Sequence, residues 1–204
     1  MKKQTLVLFF LFSFGFLYSQ KCKNLVVDKK DEFTGEVLKT SISLLQKGKG
    51  HETHFEIRQK NDKYSITFID FYYGLAMVSG YFYNGKKDDL MYVLLSDGTV
   101  IKLRQQGACT SRSEEPSMGE SMIPGFGRYA ALGKSQRIIF DPVFEISNND
   151  LNILSNKTIT KIRVMASGTQ VKTKKLIDNI EIVVDEKNSL QFLEDVKCLF
   201  NKAK

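Results

Sequence analysis

Apolar and polar residues alternate with a period of two along most of this chain, and that alternation restricts the fold more than any other feature. Successive side chains of a β-strand point to opposite faces of a sheet, so the pattern predicts strands with one buried face. Asp97-Gly98 separates two such segments and predicts a tight hairpin in which both turn residues take positive φ. The strand patterns lie at 38–44, 54–58, 64–68, 90–95, 99–103, 137–146, 160–164 and 180–184, and the segment 90–95 is apolar on both faces, as a central strand would be.

The segment 38–44 illustrates the expected burial. We predict that its apolar residues and the intervening threonine form the buried face, and that the polar residues between them face solvent. The two sets are Leu38, Thr40, Ile42 and Leu44, and Lys39, Ser41 and Ser43.

Two segments carry helical signals instead. Ser147 is a predicted N-cap, and Asp150, three residues later, is placed to accept from the free backbone donors of a short helix with Leu151 and Leu154 on its inner side. A C-terminal helix is predicted at about 188–201. Its apolar stripe is Leu190, Leu193, Val196 and Phe200.

Together these elements predict an α+β fold in one domain. The sheet is mainly antiparallel and free to curl or to close in part, and the short helix and the C-terminal helix pack on it.

The first 19 residues have the layout of a secretory signal peptide. Lys2 and Lys3 precede an apolar block at 6–17, and polar residues begin at Ser19. A membrane-spanning helix needs about 20 apolar residues, so this block is too short for a permanent span. We expect cleavage after Ser19, export to the periplasm or the exterior, and a single domain at 20–204.

The three cysteines bear on the same export hypothesis, because disulfides persist in oxidising compartments. They are Cys22, Cys109 and Cys198, so at least one stays unpaired within the chain. We predict a disulfide between Cys22 and Cys198, with a Cys22–Cys109 bridge as the alternative.

Charge and motifs argue against several functions. The net charge is +7, but the basic residues are scattered in pairs with acids close by, so we predict no nucleic-acid partner. His51 and His54 are three residues apart, which places them on opposite faces of a strand, and we predict no metal site there. The stretch 127–135 departs from the spacing of a phosphate-binding loop, and no serine nucleophile motif is present. We therefore assign no catalytic residue, no cofactor and no metal.

The segment 105–135 contains five Gly, five Ser and two Pro, and predicts a long mobile loop. The alternative is a loop docked on the sheet as a lid or over a partner site, because it also carries an apolar series. That series is Met118, Met122, Ile123, Phe126, Tyr129 and Leu132.

Eight aromatic residues lie between positions 64 and 83. Tyrosine combines an apolar ring with a polar tip, which suits recognition of a sugar or a peptide, although aromatic residues also favour strands for packing reasons. With two loop residues added, the candidate binding surface is Tyr72, Tyr73, Tyr81, Tyr83, Arg128 and Tyr129.

Four short features carry a resemblance: Asp31-Glu32-Phe33-Thr34-Gly35, Ser96-Asp97-Gly98, the strand at 159–163 after a capped helix, and Cys198-Leu199. With them the chain resembles a loose group of uncharacterised exported bacterial β-rich proteins. The resemblance implies no activity.

Three functions are compatible with these observations. The first is a non-catalytic envelope or secreted protein that binds a partner or ligand. The second is a hydrolase of envelope polymers that uses carboxylates not identifiable in the sequence. The third is a structural or assembly component of the cell surface.

Overall fold

The computed structural model describes residues 25–73, 76–77, 79–114, 119–123, 127–131 and 137–201. Within these ranges the chain forms fifteen strands and two α-helices. The strands are β1 Leu25–Lys30, β2 Val37–Gly48, β3 His51–Lys60, β4 Lys63–Tyr73, β5 Tyr81–Gly85, β6 Leu90–Leu95, β7 Val100–Gln105, β8 Cys109–Thr110, β9 Arg112–Glu114, β10 Gly119–Ile123, β11 Gly127–Ala131, β12 Arg137–Phe140, β13 Val143–Ile146, β14 Ile159–Gln170 and β15 Leu176–Val183. The helices are α1 Asn148–Leu154 and α2 Glu186–Asn201.

Thirteen of the described strands form one sheet, and β10 and β11 form a separate hairpin. The main path runs β1-β2-β3-β4-β13-β7-β6-β14-β5-β8, with β12 between β4 and β9 and with β15 beside β14. The strand pairs of this sheet are antiparallel. β1 and β8, the two ends of this path, are not paired with each other, so the sheet is open. This architecture confirms the predicted α+β fold.

The short helix α1 begins as the sequence indicates. The Asp150 backbone N–H donates to Ser147 Oγ at 3.1 Å, and Leu151 and Leu154 are buried. The Asp150 carboxylate accepts from the Ser147 hydroxyl at 2.6 Å. The cap and the inner side of α1 are therefore confirmed.

The buried side of α2 differs from the predicted stripe. Val196 is buried as expected, but Leu190 is 46% exposed and Leu193 is only half-buried; the Phe200 side chain lies outside the described residues. The positions that face the sheet are Ser189, Phe192, Asp195, Val196 and Leu199.

Two hydrogen bonds between α2 and the sheet explain why a different side of the helix is buried. Ser189 Oγ accepts from the backbone N–H of Ile159 at 2.6 Å. Ser43 Oγ on β2 donates to Asp195 Oδ2 at 2.5 Å. Buried polar groups need partners, so these contacts hold two polar side chains of α2 against the sheet.

The same contact reverses the predicted faces of β2. Ser41 and Ser43 are buried, whereas Leu38, Ile42 and Leu44 are only half-buried. α2 packs on β2, and the small serine side chains leave room for a close approach of the helix. The expectation that the apolar residues of 38–44 form the core-facing set is therefore wrong, and of the predicted buried set only Thr40 is buried.

The core lies between the inner face of the sheet and the two helices. Phe55 on β3 meets Phe192 on α2 edge-on, with ring centroids 5.6 Å apart, and meets Phe68 on β4 at 6.2 Å. Edge-to-face aromatic pairs add stability beyond the apolar area that they bury. This trio joins α2 to the centre of the sheet.

The predicted loop at 105–135 contains strands. Cys109–Thr110 pairs with β5, Arg112–Glu114 pairs with β12, and β10 pairs with β11. β8 and β9 have only two and three residues and show no alternation, so the sequence pattern could not reveal those two. The apolar series of this segment, with Arg128, has its side chains outside the described residues.

The hairpin between β6 and β7 is confirmed, with Leu94 opposite Val100, but its turn differs from the prediction. Gly98 has φ +85°, whereas Asp97 is not among the residues with positive φ. The Asp97 carboxylate instead accepts from the backbone N–H of Thr99 at 3.1 Å and pairs with Lys157 at 2.5 Å. A three-residue loop that ends in a left-handed glycine needs only one residue of positive φ.

Cys109 is a free, half-buried cysteine. Cys22 and the predicted signal peptide lie outside the described residues, so the Cys22–Cys198 bridge and cleavage after Ser19 stay predictions. In the described part of the chain, neither helix combines the length and the apolar character that crossing a bilayer requires.

The turn between β2 and β3 requires glycine at position 50. Gly50 has φ +76°, and a Cβ there would lie 2.7 Å from Ala76 Cβ and 2.8 Å from the Tyr73 carbonyl oxygen. We expect Gly50→Ala to lower the free energy of unfolding by about 2 kcal/mol through backbone strain and crowding. Gly35→Ala is the matched control, since Gly35 has φ +71° in open space, and should cost about 1 kcal/mol. Equal losses in urea denaturation would contradict the crowding argument.

Candidate functional site

Three of the predicted tyrosines meet on the inner face of the sheet. Tyr72 Oη and Tyr83 Oη are 3.3 Å apart, and Tyr81 stacks on Tyr83 with centroids at 5.7 Å. We call these three the tyrosine cluster. Tyr83 is only 4% exposed and packs against Phe140, so it cannot offer the exposed ring expected of a binding surface. Arg128 and Tyr129 have side chains outside the described residues.

A buried carboxylate that the sequence analysis missed lies beside this cluster. Asp70 is 1% exposed, and its Oδ1 accepts from Thr53 Oγ1 at 2.7 Å and contacts His51 Nε2 at 2.7 Å. The His51 ring stacks on Tyr72 at 4.2 Å. Burial, and after it the charge of Asp70, raises the pKa of Tyr72 and of Tyr83 well above the ordinary value. Both phenols therefore remain protonated.

The remaining predicted tyrosine lies on the opposite face. Tyr73 Oη donates to Glu52 Oε1 at 3.3 Å, and Glu52 also pairs with Lys47 at 3.0 Å and with His54 at 3.2 Å. Burial raises the pKa of Glu52, but the contacts with Lys47 and His54 outweigh it and hold the pKa below its usual range. His51 and His54 thus point to opposite faces, as predicted. No group of three or more potential metal ligands occurs among the described residues.

The tyrosine cluster and Asp70 form a largely buried structural network, in which Asp70 Oδ2 is left without a hydrogen-bond partner. A Cβ at Gly80 would lie 2.8 Å from Tyr72 Cγ, so the chain leading into β5 is seated on that ring. The tyrosine hydroxyls and the Asp70 carboxylate supply hydrogen bonds in a site largely shielded from water. Its clearest consequence is therefore stability.

A second site lies at the opposite end of β3 and β4 and is open to solvent. We call it the hairpin cavity, because it lies beside the β3–β4 turn and has a volume of about 470 Å³. It is lined by Val37, Lys39, Gln59, Asn61, Asp62, Tyr64 and Asn148. β2, β3, β4 and the first turn of α1 thus each contribute a wall.

Hydrogen bonds fix the floor of the hairpin cavity. Asn61 has φ +54°, its backbone N–H donates to the Val37 carbonyl at 2.8 Å, and its Oδ1 accepts from the Val37 N–H at 2.9 Å. Gln59 Nε2 donates to the Asn61 carbonyl at 2.9 Å. A flipped Gln59 amide would set two acceptors against each other, so the orientation is determined. With Nε2 so engaged, Gln59 Oε1 is buried and has no hydrogen-bond partner.

Cations dominate the surroundings of this cavity. Lys39, directly opposite Gln59 across β2 and β3, is only 8% exposed. A second cavity of about 550 Å³ adjoins it across the turn, shares Asn61, Asp62 and Tyr64, and is also lined by basic side chains. These are Arg58, Lys60 and Lys63.

Tyr64 lines both cavities with an uncharged side chain. Burial raises its pKa, and the charge of Asp62 raises it further, so the phenol stays protonated. Asp62 is exposed and is the only acid that lines either of these two cavities in the described chain. The walls of the hairpin cavity therefore include a nearly buried lysine, a protonated phenol and a buried glutamine.

One sequence signal for these sites exists, although it is visible only in retrospect. Asp70 follows Ile66 and Phe68 at a spacing of two, and Gln59 likewise follows Phe55 and Ile57. A polar residue on an otherwise apolar strand face marks a buried polar group. Lys39 carried no such signal, because the sequence pattern assigns it to the solvent face.

No protein-family model, no curated protein and no solved structure matches this chain.

Proposed function

We propose that this protein is an exported, non-catalytic binding protein and that it holds a small polar ligand in the hairpin cavity. The single observation that carries the proposal is the hairpin cavity, an open space of about 470 Å³ lined by Gln59, whose buried Oε1 has no hydrogen-bond partner. Buried polar atoms are almost always hydrogen-bonded, and leaving one unsatisfied costs about 1–3 kcal/mol. A ligand that draws the Gln59 amide toward the cavity and donates to this oxygen would remove that cost.

The size and lining of the cavity support the same function. A volume of about 470 Å³ is within the range of small-molecule sites, which combine apolar walls with a few placed polar groups. Val37 and the ring of Tyr64 provide apolar surface beside Lys39 and Gln59. The proposal also includes export of the protein, which the signal-like first 19 residues and the resemblance to exported β-rich proteins support.

A hydrolase has less support. A general acid needs a raised pKa. Among the described carboxyl groups, the five with a shifted pKa all have it lowered: Asp31, Glu52, Asp97, Glu114 and Glu181. At Glu181 the cause is hydrogen bonding to Lys161 and Arg163. At Asp97 it is chiefly the Lys157 ammonium, which holds the pKa at about 2.

Native mass spectrometry of the protein purified from its own envelope fraction tests the proposal. We expect a small-molecule adduct on the unaltered protein and its loss in Gln59→Met, which keeps side-chain length but removes the acceptor. Gln105→Met is the matched control, because Gln105 is also buried, also has an unpartnered Oε1 and donates to the Gly107 carbonyl, yet lines neither cavity. The proposal fails if no adduct is present, or if both variants lose it alike.

A further inference from the structure

From the outer face of β6 we infer an interaction surface: a groove that takes an acidic amphipathic helix of a partner protein. β6 is apolar on both faces, and the residues of its inner face lie in the core. Leu90, Tyr92 and Leu94 point to the outer face and are only half-buried, since both described helices pack on the inner face. We call these three residues and their neighbours on β7 and β14 the outer groove. It is separate from the hairpin cavity and does not depend on the proposed function.

Basic residues border the apolar strip of the outer groove on both sides. On one side, Lys102 and Arg104 of β7 are opposite residues of β6. On the other side, Lys161 and Arg163 of β14 are opposite residues of β6. Directly opposed residues of antiparallel strands share a face of the sheet, so these cations lie on the same face as the apolar strip.

The positive charge of this border is only partly compensated. Lys161 and Arg163 share one carboxylate, that of Glu181. Lys102 and Arg104 are exposed, and neither forms an ion pair with another described residue. An excess of exposed positive charge on one face favours a partner with negative charge.

Two other contacts of the border leave this excess in place. Glu145 on β13 is opposite Arg104, but these two residues are not joined as an ion pair. The Lys102 ammonium lies 6.0 Å from the centroid of the Tyr92 ring, and a cation–π contact does not neutralise a charge. Within the described part of the sheet, the four cations of the border therefore face two acids, Glu145 and Glu181.

The width of the outer groove matches an α-helix. Neighbouring strands are about 4.8 Å apart, so the basic residues of β7 and β14 are separated by about 10 Å across β6. An α-helix with its side chains has a diameter of about 10–12 Å. A helix whose apolar stripe is flanked by acidic residues therefore places the stripe on β6 and its acids against both borders.

A recess in the outer groove favours a helix over other partners. Its volume is about 240 Å³, and it is lined by Tyr92, Leu94, Val100, Lys161 and Arg163. Small-molecule sites usually have about 300 Å³ or more, so this recess suits the side chains of a larger partner. A planar bilayer meets the long lysine and arginine side chains before the apolar floor, whereas a helix inserts its stripe between them.

Fluorescence anisotropy with labelled synthetic helices tests the inference on the purified full-length protein. The probe is a helical peptide with a leucine stripe flanked by glutamates. One comparison peptide has alanine in place of every leucine, and the other has glutamine in place of every glutamate. We expect the probe to bind about tenfold or more tightly than either, because each comparison peptide lacks one of the two features that match the groove.

Variants of exposed residues locate the binding site. Lys102→Glu should weaken probe binding about tenfold, whereas Lys30→Glu, the same charge reversal at an exposed position of β1, should change it less than about twofold. Val100→Ser should weaken binding about threefold, because Val100 is 46% exposed and lines the recess. Leu176→Ser is its control, since Leu176 is exposed on β15 and is not part of that lining. Circular dichroism confirms that each variant is folded.

Each other result overturns the inference. If the probe does not bind, or if a comparison peptide binds equally well, the groove does not recognise an acidic amphipathic helix. Equal losses in Lys102→Glu and Lys30→Glu show attraction by net charge alone. Binding to phosphatidylglycerol vesicles that Lys102→Glu abolishes, without binding of the probe, identifies an anionic bilayer as the partner instead.

Discussion

Phe192→Ala is expected to lower the free energy of unfolding by about 3–5 kcal/mol, the usual range for truncating a fully buried phenylalanine. Phe192 has no exposed surface and contacts Phe55 edge-on at the centre of the helix–sheet interface. Truncation leaves a cavity between α2 and the sheet that rigid strands cannot collapse to fill. Urea denaturation followed by far-ultraviolet circular dichroism measures the loss.

Leu190→Ala is the control for this prediction, because the sequence pattern places Leu190 on the apolar stripe of α2 and the structure leaves it nearly half exposed. We expect that variant to lose less than about 1 kcal/mol. The reverse order, with Leu190→Ala more damaging than Phe192→Ala, would show that α2 faces the sheet with the predicted stripe.

Asp70→Ala is expected to cost about 3 kcal/mol, because it leaves two donors on the inner face without their acceptor. Thr53 Oγ1 is completely buried, and His51 stacks against Tyr72, so neither group finds water easily in its present position. An unsatisfied buried donor costs about 1–3 kcal/mol. The same denaturation measurement applies.

Two further variants sharpen the Asp70 result. Asp70→Asn retains an acceptor oxygen and should lose less than half as much stability as Asp70→Ala, while Asp178→Ala, at an exposed position of β15, should have almost no effect. A buried carboxylate also carries a desolvation penalty, and its removal is sometimes stabilising. An Asp70→Ala protein as stable as the original would mean that this penalty exceeds the value of the two hydrogen bonds.

The period-two pattern and the capping residues were sufficient to predict most elements of the fold. Leu90–Leu95 is a strand over the predicted interval, and Ser147 caps the helix that the sequence indicates. These features are local: alternation reports strand geometry, and an N-cap needs only its own first turn. The same local logic placed His51 and His54 on opposite faces of one strand.

The candidate site depended on contacts between distant segments. Gln59 and Lys39 line one cavity because β2 pairs with β3 in a register that opposes them and because α1 closes the other side. Gln59 is left with a free acceptor only because Asn61 occupies its donor. The sequence analysis placed Tyr83 on an exposed binding surface, but Tyr83 is buried. Its burial also depends on a distant segment, because its ring packs against Phe140.

Local patterns in the chain were enough to predict the strand-rich α+β class, the two helices and the hairpin at Asp97-Gly98, because each depends on residues close together in the sequence. The buried face of β2 and the buried side of α2 became visible only in the folded protein. Hydrophobic pattern analysis assigns polar residues to solvent, whereas Ser43 and Asp195, 152 positions apart, satisfy each other inside the protein. A hydrogen bond between two buried polar groups offsets the cost of burying them. Because the two partners are far apart in the sequence, a local pattern of apolar and polar residues cannot predict their contact.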